Sequence, residues 1–521
     1  MHIHPHRYMT SETGSFPASN HSEFDAFLES FRSRLRHAFH VRSDIDELSL
    51  NRGIPPHVLR EIRACDPFQV YIPEEYGGRG GHIHEGLAVL AAASYESLAL
   101  SLTFGINWAL FLQPLAKYGQ DPVKAPIFRN FLKEKHMGGL MITEPDYGSD
   151  ALGMQTGYVE LEDHYHIEGI KHWGGLTGQA DYWLLTARER HDDGLRRDID
   201  FFICDVNGPD QHIEVEEVFA NLGLYMIPYG RNRIDVKVPK THRLVPKRTG
   251  VMMMLDLLHR SRMQFPGMGM GFLQRLLDEA LDHCKQRFVG GASLFSYDQV
   301  QQRLARLQAA FTVCSAMCTY SSDNAHLHHD LMRRGFEANA IKTVVTDLMQ
   351  DASQSLLQLV GAKGYRLDHL AGRATVDSRP FQIFEGSNDI LYQQISEAVL
   401  KQMRKVKEVN LLRFLSGYDL TARAADYFKD LLGFDVDYAL PQRKLVDLGR
   451  ALGRMVSMQL VLDLGDRGFR QEMIEGAVGV LRQDVAGLLS SYRHAYEKEV
   501  VENYDDGASW LEFVTSPAVR S

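Results

Sequence analysis

Residues 358–391 read QLVGAKGYRLDHLAGRATVDSRPFQIFEGSNDIL, and they set one carboxylate, Glu385, between apolar residues and a glycine. A helical pattern precedes this stretch and stops at Gly361. Gly361 and Gly364 predict a tight turn in which the backbone can approach a ligand closely, because glycine tolerates backbone angles and close contacts that other residues do not. The stretch therefore predicts a helix end, a turn and a carboxylate in close succession.

The end of the same stretch contains residues that commonly cap helices. Ser387 and Asp389 predict caps for a helix that begins near Ile390, since short polar side chains accept hydrogen bonds from the first backbone N–H groups. On this stretch alone, two interpretations of Glu385 stay open. Either it is a proton abstractor, or it merely lies between the end of one helix and the start of the next.

A second motif, MITEPDYGSDALGM at residues 141–154, places a proline and glycines within a polar turn rich in hydroxyls and carboxylates. This composition predicts a loop that holds a ligand. Together with residues 358–391 it resembles the acyl-CoA dehydrogenase family of flavoproteins, whose TEPxxGSD loop, QxxGGxGY turn and EGT segment occur in this order at similar separations. The likeness covers roughly residues 65–404. It extends to IPEEYGGRGG at 72–81, KHW at 171–173, VKVPK at 236–240, and Arg287 with Gln299.

The spacing of apolar residues predicts a mainly α protein with an inserted β domain. Apolar residues recur at helical spacing before about residue 135 and again after Gly250, whereas the intervening segment has strand-like runs separated by turn residues. The resemblance implies the topology: an N-terminal helical domain, a middle β-barrel and a C-terminal four-helix bundle, here with extra C-terminal helices. The predicted boundaries are a flexible leader (1–21), an N-terminal helical domain (22–137), a β-barrel domain (138–248), a helical bundle (249–408) and an additional helical extension (409–521).

The predicted extension carries an apolar stripe at helical spacing, which must pack against another surface. Three partners stay open: the main bundle, a second subunit, or a membrane surface. The stripe consists of Leu445, Leu448, Leu452, Met455 or Val456, and Leu460.

The 521 residues exceed one typical core and predict several folding units. The formal charge of −10 is spread along the chain, which argues against nucleic acid as a partner. Polar residues interrupt the most apolar segment, 86–119, so we expect a buried helix there. The five cysteines show no disulfide or CxxC spacing and predict a cytoplasmic protein: Cys65, Cys204, Cys284, Cys314 and Cys318. Two histidine groups lack accompanying ligands and predict no metal site: His2, His4 and His6, and His326, His328 and His329.

The resemblance implies an FAD-dependent dehydrogenase of acyl thioesters with Glu385 as the base. Desaturation removes an α proton and a β hydride, and because no side chain accepts a hydride, a flavin is required. The implied cofactor contacts are Met141, Thr143, Gly148, Ser149, Trp173, Gly175, Arg287, Gln299, Gln358, Gly361, Gly386, Ser387 and Asp389, and the implied substrate contacts are Ser149, Arg262 and Phe384. In the family, the half of the cradle that corresponds to Arg287, Gln299, Gln358 and Gly361 often comes from a neighbouring subunit, which implies a homodimer or homotetramer.

The chain departs from the family pattern after Trp173. Relatives carry Trp-Ile-Thr or a close variant there, whereas Gly174, Gly175 and Leu176 follow in this chain, so the hydroxyl that is usually offered to the flavin is missing. Thr177 is the candidate to replace it. Other differences are Ala362 in place of the second glycine of the GG pair, and His259 where some relatives carry an acidic residue on the substrate side.

Three functions are consistent with these residues. The first is α,β-desaturation to a trans-2-enoyl thioester of coenzyme A or of a carrier protein, with electrons passed to an electron-transfer flavoprotein or another acceptor. The second is a flavin-dependent monooxygenase or oxidase on the same fold, which the altered loop after Trp173 suggests. The third is a non-catalytic scaffold, in which the extension serves as an interaction module.

Overall fold

The computed structural model describes residues 18–494 and 500–514 of the 521-residue chain. Most of the predicted leader, together with His2, His4 and His6, lies outside the described residues. The first helix begins at Ala18, so its first four residues fall within the predicted leader, and Phe31 and Leu35 on this helix are fully buried in the core.

The N-terminal domain is helical throughout. One described helical stretch, Leu98–Tyr118, is long and apolar enough to cross a membrane, but 94% of its most apolar window is buried inside the protein, which confirms the predicted buried helix. Its middle, Ile106–Leu112, is a π-helical turn. The helices are α1 Ala18–His40, α2 Ile45–Leu48, α3 Pro56–Arg63, α4 Ile83–Glu96, α5 Leu98–Gly105, α6 Gln113–Tyr118 and α7 Asp121–Lys133.

A β domain follows and confirms the predicted insertion between helical domains. Its eight strands form one hydrogen-bonded sheet in the order β1-β4-β2-β3-β8-β7, with β5 and β6 also paired to β4. No ladder among the described strands joins β7 to β1, so the sheet is not a closed hydrogen-bonded ring. The strands are β1 Gly138–Met141, β2 Gly157–Glu160, β3 His164–Gly175, β4 Tyr182–His191, β5 Gly194–Leu195, β6 Asp200–Asp205, β7 Gln211–Val218 and β8 Tyr229–Pro239.

The C-terminal bundle is built around α9, which packs on α10 and α11 and also on α4 of the N-terminal domain. A short hairpin of two-residue strands, β9 Phe288–Val289 and β10 Ala292–Ser293, connects α9 to α10. The helices are α8 Gly250–Arg262, α9 Phe265–Gln286, α10 Asp298–Asn324, α11 Gly335–Val360, α12 Leu370–Ser378 and α13 Asn388–Val406. Helix α11 ends at Val360, and Gly361 has a φ of +73°, which confirms the predicted stop and turn.

The extension is an added layer on the bundle, which was the first of the three partners left open for its stripe. Helix α17 packs against α10, α11 and α13, and all residues of the stripe are at most 8% exposed. Helix α18 covers α10 and α17 from outside. The helices are α14 Leu411–Ser416, α15 Ala422–Ala425, α16 Lys429–Leu432, α17 Gln442–Asp466 and α18 Gln471–Arg493.

Gly449 is a point of close approach between the extension and the bundle. A Cβ atom at this position would lie 2.0 Å from the backbone oxygen of Tyr392 on α13, so a side chain there would push α17 away. We expect Gly449→Val to lower the free energy of unfolding by about 2 to 3 kcal/mol in urea denaturation. Gly476 on α18 has open space around it, and Gly476→Ala is the control, which should be neutral or stabilising. Equal stability of the two variants would contradict the packing described here.

Candidate active site

Glu385 lies in the short connection between a turn of 3-10 helix, Arg379–Gln382, and α13. The ring of Phe384 anchors this connection, because it packs 5.0 Å from the ring of Phe381 and 6.1 Å from that of Phe265. Ile383, in contrast, is 57% exposed. The next residue, Glu385, has a left-handed backbone with φ +54°, which is rare for a residue with a side chain. Strained backbone of this kind concentrates at functional sites.

The two carboxylate oxygens of Glu385 have different surroundings. The hydroxyl of Ser261 donates a hydrogen bond of 2.6 Å to Oε1. Oε2 is shielded from solvent and has no hydrogen-bond partner in the described chain. Burial raises the pKa of Glu385, although Ser261, Arg262 and Lys342 act in the opposite direction. A buried oxygen with no donor and a raised pKa is what a proton abstractor requires.

The backbone of the same residue also has an unused group. The N–H of Glu385 donates to no acceptor within residues 18–494 or 500–514. Buried or half-buried N–H groups are rarely left unpaired, so this donor is available to a ligand. The residue therefore offers a hydrogen-bond donor and an acceptor to the same ligand.

Two buried cations hold the carbonyl groups of this turn. Arg262 donates to the backbone carbonyl oxygen of Glu385 through Nη2 (2.6 Å) and Nε (3.2 Å). Its Nη1 donates to Asn339 Oδ1 at 2.7 Å. Lys342, which is fully buried, donates to the Gly386 oxygen at 2.9 Å and to Asn388 Oδ1 at 2.9 Å. Burial lowers the pKa of Lys342 to about 7 and that of Arg262 to about 10, and the charge of Glu385 opposes both shifts. The structure therefore places Arg262 behind the turn as its support, whereas its predicted substrate contact stays a prediction.

Gly386 is required for this arrangement. Its φ is +90°, and a Cβ atom there would lie 3.0 Å from Leu391 Cδ2 and 3.3 Å from the Arg262 nitrogen that holds Glu385. We expect Gly386→Ala to cost about 1 to 3 kcal/mol of unfolding free energy, because both the backbone angle and the Arg262 contact are strained. Gly487→Ala, on the open face of α18, is the control. Urea denaturation of both variants tests this, and an unchanged Gly386→Ala would show that the turn is not strained.

Trp173, the second part of the candidate site, lies at the end of β3. The pairing of β3 with β8 is irregular between His172 and Gly174, and Trp173 has a left-handed backbone with φ +56°. Its ring is 54% exposed and lies 4.6 Å from the ring of Phe219 and 6.2 Å from that of Tyr229. This bulge therefore presents a large aromatic surface outward, where a flat ligand can stack.

The loop at residues 141–154 is joined to this strand. The backbone N–H of His172 donates to the carbonyl oxygen of Thr143 at 2.8 Å, so Thr143 lies directly beside Trp173. Met141, one of the predicted cofactor contacts, is fully buried beneath the loop. Gly148 and Ser149 are exposed at its tip. Thr143 and Trp173 are therefore brought together as predicted, while Met141 is in the core and supports them.

A buried ion pair closes the loop. Glu144 accepts hydrogen bonds from the backbone of Gln155 (2.5 Å) and Thr156 (3.0 Å) and from the Lys171 ammonium (2.9 Å). Lys171 also donates to Thr186 Oγ1 at 3.1 Å. Burial lowers the pKa of Lys171 to about 8, against the attraction of Glu144. For Glu144, burial raises the pKa, but Lys171 and the hydrogen bonds outweigh it, so the pKa is lowered overall. The pair fixes both ends of the loop to β3.

Thr177 does not replace the missing hydroxyl of the Trp173 segment. It is 2% exposed, and its Oγ1 donates to the Gly174 oxygen (2.7 Å) and accepts from Asn232 Nδ2 (3.0 Å). The hydroxyl is thus used inside its own loop. The expectation from sequence was wrong because these partners are set by the pairing of β3 with β8, which local sequence does not reveal.

The remaining predicted cofactor residues lie at one end of the helical bundle and are exposed. Helices α9 and α11 pack against each other, and Arg287 follows the C-terminal end of α9 whereas Gln358 and Gly361 lie at the C-terminal end of α11. The exposed residues are Arg287, Gln299, Gln358 and Gly361. No hydrogen bond or ring contact in the described chain joins any of these four residues to Thr143 or Trp173.

The structure corrects two predictions at the start of α13. This helix begins at Asn388 rather than near Ile390, and Ser387 occupies the N-cap position without a side-chain capping bond. Asp389 is exposed in the first turn and accepts a hydrogen bond of 2.9 Å from Arg450 of the extension, so it does not cap. Their predicted nucleotide contacts, like that of Gly386, stay predictions.

His259 does not face the site. It is buried, its Nδ1 bonds to the Leu331 oxygen at 2.6 Å, and burial lowers its pKa to about 4. The residue of α8 that reaches the Glu385 carboxylate is Ser261, which sequence reasoning missed. Its position next to Arg262 was the available signal. Lys342 and Tyr229 were missed as well, because both lie far from Glu385 in the sequence.

The residues present fit a flavin. Trp173 offers an exposed aromatic surface at the end of β3, and the carbonyl oxygen of Thr143 accepts from the neighbouring residue His172. The ring of Tyr229 contacts that of Trp173, and burial together with the charge of Glu385 raises the pKa of the Tyr229 phenol. The exposed indole would stack on the flat ring system of a flavin.

Comparisons with known proteins agree with this geometry. Models of the acyl-CoA dehydrogenase N-terminal, middle and C-terminal domains match residues 22–135, 139–236 and 248–400. An acyl-CoA dehydrogenase of Bacillus subtilis (strain 168) is 26% identical over 334 residues, which are 63% of this chain and 86% of that protein.

Two solved structures share the fold. An acyl-CoA dehydrogenase of Bacillus anthracis in complex with FAD superposes with a TM-score of 0.73 at 16% identity, over 92% of this chain and 88% of that one. The prolyl acyl carrier protein oxidase AnaB superposes with a TM-score of 0.64 at 17% identity, over 72% of this chain and 98% of that one. With all three domain models matched in order, the chain belongs to the acyl-CoA dehydrogenase family, flavoprotein oxidoreductases that act on CH–CH groups and characteristically use FAD.

Proposed function

We propose that this protein is an FAD-dependent acyl thioester dehydrogenase that forms trans-2-enoyl thioesters, with Glu385 as the base. The observation that carries the proposal is the unpartnered, solvent-shielded Oε2 of Glu385 beside the free backbone N–H of the same residue. A thioester carbonyl that accepts this N–H becomes a better acceptor of negative charge, so the neighbouring α proton becomes more acidic. The carboxylate is then placed to take that proton.

Each neighbour of Glu385 contributes to this step. Ser261 fixes Oε1, so that Oε2 is the oxygen that receives the proton. Arg262 and Lys342 hold the turn in its left-handed conformation and keep the N–H directed away from protein acceptors. The apolar rings of Phe384 and Phe381 exclude water, which brings the pKa of the base closer to that of the activated substrate. Bound FAD supplies the acceptor for the β hydride.

The cofactor contacts in this proposal come from two surfaces. Thr143 and Trp173 hold the ring system on the side of the β domain, with Gly175 in the same strand. The exposed set at the bundle end, Arg287, Gln299, Gln358 and Gly361, binds the pyrophosphate and adenosine of FAD in a second copy of the chain. A homodimer or homotetramer follows from this division, because one chain alone offers half a cradle. We further propose a cytoplasmic location.

The thioester carrier and the electron acceptor are part of the proposal. The substrate is an acyl group on coenzyme A or on the phosphopantetheine arm of a carrier protein. Electrons leave to an electron-transfer flavoprotein, which can approach the 54% exposed Trp173.

An anaerobic titration of the FAD-loaded protein tests the proposal. Acyl-CoAs of several lengths and the corresponding acyl carrier proteins are added, and the visible absorbance of the flavin is followed. Bleaching with stoichiometric 2-enoyl product supports the proposal and identifies the carrier. Loss of substrate only when oxygen is admitted would replace it by the oxidase or monooxygenase alternative, and no reaction with any thioester would reject it.

A further inference from the structure

The resemblance implies a hydroxyl for the flavin in the segment after Trp173, and this chain has none at the matching position. Gly174, Gly175 and Leu176 follow Trp173, and Thr177 uses its hydroxyl within its own loop. A donor that has been lost from one strand can be supplied by a neighbouring one. The neighbouring strand β8 begins at Tyr229, which pairs directly with Gly175 in the β3–β8 ladder.

Gly175 makes room for the ring of Tyr229. A Cβ atom at residue 175 would lie 3.3 Å from Tyr229 Cε1 and 3.0 Å from Ile106 Cδ1, which is tighter than ordinary van der Waals contact. A threonine or another branched side chain at this position would displace the ring. The loss of a side chain at residue 175 and the presence of the tyrosine are therefore linked sterically.

The ring of Tyr229 lies against that of Trp173. The two ring centroids are 6.2 Å apart, at an interplanar angle of 59°. Glu385 also acts on this residue, because its charge adds to burial in raising the pKa of the phenol. The Tyr229 hydroxyl makes no hydrogen bond within the described parts of the chain. It is therefore free to donate to a ligand bound beside Trp173.

We propose that Tyr229 replaces the missing hydroxyl and donates a hydrogen bond from its phenol to the bound flavin beside Trp173. The ligand class is the isoalloxazine ring system, which presents carbonyl oxygens and ring nitrogens as acceptors. The proposal deepens the proposed function and rests on FAD binding at this site. Because burial and the charge of Glu385 raise the pKa of the phenol, it stays protonated, and so remains a donor, throughout the neutral range.

The test uses the affinity of the apoprotein for FAD, measured by quenching of tryptophan fluorescence, and the absorbance spectrum of the bound flavin. Tyr229→Phe removes only the hydroxyl, and we expect the Kd for FAD to rise about 10-fold, as for the loss of one hydrogen bond, with a shifted flavin spectrum. Tyr225→Phe, four residues earlier in the same loop, is the control and should leave both readouts unchanged. Unfolding curves of both variants verify that they fold.

A second pair of variants tests the steric link. Tyr229→Ala opens the space against residue 175, and adding Gly175→Thr to it rebuilds the arrangement of the relatives. We expect the double variant to bind FAD more tightly than Tyr229→Ala alone, whereas Gly175→Thr in the wild-type background should bind it more weakly. Unchanged affinity and spectrum in Tyr229→Phe would overturn the proposal. A change confined to the pH dependence of flavin reduction would also overturn it, because the phenol would then act on Glu385.

These readouts separate the two proposals. Wild-type protein that binds FAD but is not reduced by any thioester would reject the proposed function, while the affinity comparison between wild type and Tyr229→Phe would still decide the role of Tyr229.

Discussion

Glu385→Gln is expected to slow the reduction of the bound flavin by acyl thioester by at least about 10²–10⁴-fold, the contribution typical of a general base. The amide has nearly the shape of the carboxylate and still accepts the hydrogen bond from Ser261 through Oε1, so the turn should keep its conformation. Because the role proposed for Glu385 is to remove a proton from the substrate and not to hold the cofactor, affinity for FAD should be unchanged. Stopped-flow absorbance with saturating acyl thioester measures the rate.

Glu397→Gln is the matched control, since Glu397 is exposed on α13 and distant from the turn in sequence. It should react like the wild type. If Glu385→Gln reduced the flavin within a factor of 10 of the wild-type rate, another residue would have to be the base.

The same substitution should affect stability in a pH-dependent way. The pKa of Glu385 is raised in the folded protein by burial, so the folded state favours the protonated form. The contribution of Glu385 to stability is therefore complete below the ordinary glutamate pKa and is lost as the pH rises through the raised value. We expect Glu385→Gln to be more stable than the wild type at pH 7 and equally stable near pH 4. The reverse trend would mean that the carboxylate is stabilised, rather than strained, by its site.

Lys171→Met is expected to have the largest effect on stability. The substitution leaves the Glu144 carboxylate buried without its cation, and breaking a buried ion pair by removing one partner costs about 3 to 5 kcal/mol. Because Glu144 closes the loop that carries Thr143, affinity for FAD should fall as well. Urea denaturation and a fluorescence titration with FAD measure the two effects.

Adding Glu144→Gln to Lys171→Met supplies the control. The amide removes the unpaired charge and keeps one of the two oxygens that accept from the backbone N–H groups of Gln155 and Thr156. Because an unpaired buried charge costs more than one lost hydrogen bond, the double variant should be more stable than Lys171→Met. A loss below about 1 kcal/mol in Lys171→Met, or no recovery in the double variant, would show that the ion pair does not hold the loop.

Sequence patterns predicted the order of helices and strands because those patterns are local. Helical spacing and strand alternation each depend on residues a few positions apart, and Gly361 ended α11 as expected. The start of α13 was misjudged because Asn388 is drawn into the interior, where its amide donates to Thr346 at 3.0 Å and to Asp347 at 2.7 Å. Those partners are more than 40 residues away, so no local pattern contains them.

Motifs pointed to the candidate residues Glu385 and Trp173, but not to the residues that surround them. Lys342 reaches the turn from a separate helix, and Tyr229 contacts Trp173 only through the register of β3 on β8. Asp389 illustrates the same limit, since its partner Arg450 lies 61 residues further along the chain. The apolar stripe on α17 predicted that this face of the helix would be buried. That its partner is the main bundle depends on the path of the chain, which the stripe does not contain.

The exchange of substrate α protons with D₂O tests the role of Glu385 most directly, because it reports proton abstraction apart from hydride transfer. FAD-loaded wild-type protein is incubated anaerobically in D₂O with an acyl thioester that it binds, and deuterium at the α carbon is measured by mass spectrometry. We predict incorporation with the wild type and with Glu397→Gln, and none above the uncatalysed rate with Glu385→Gln. Equal incorporation in wild type and Glu385→Gln would contradict the assignment of Glu385 as the base.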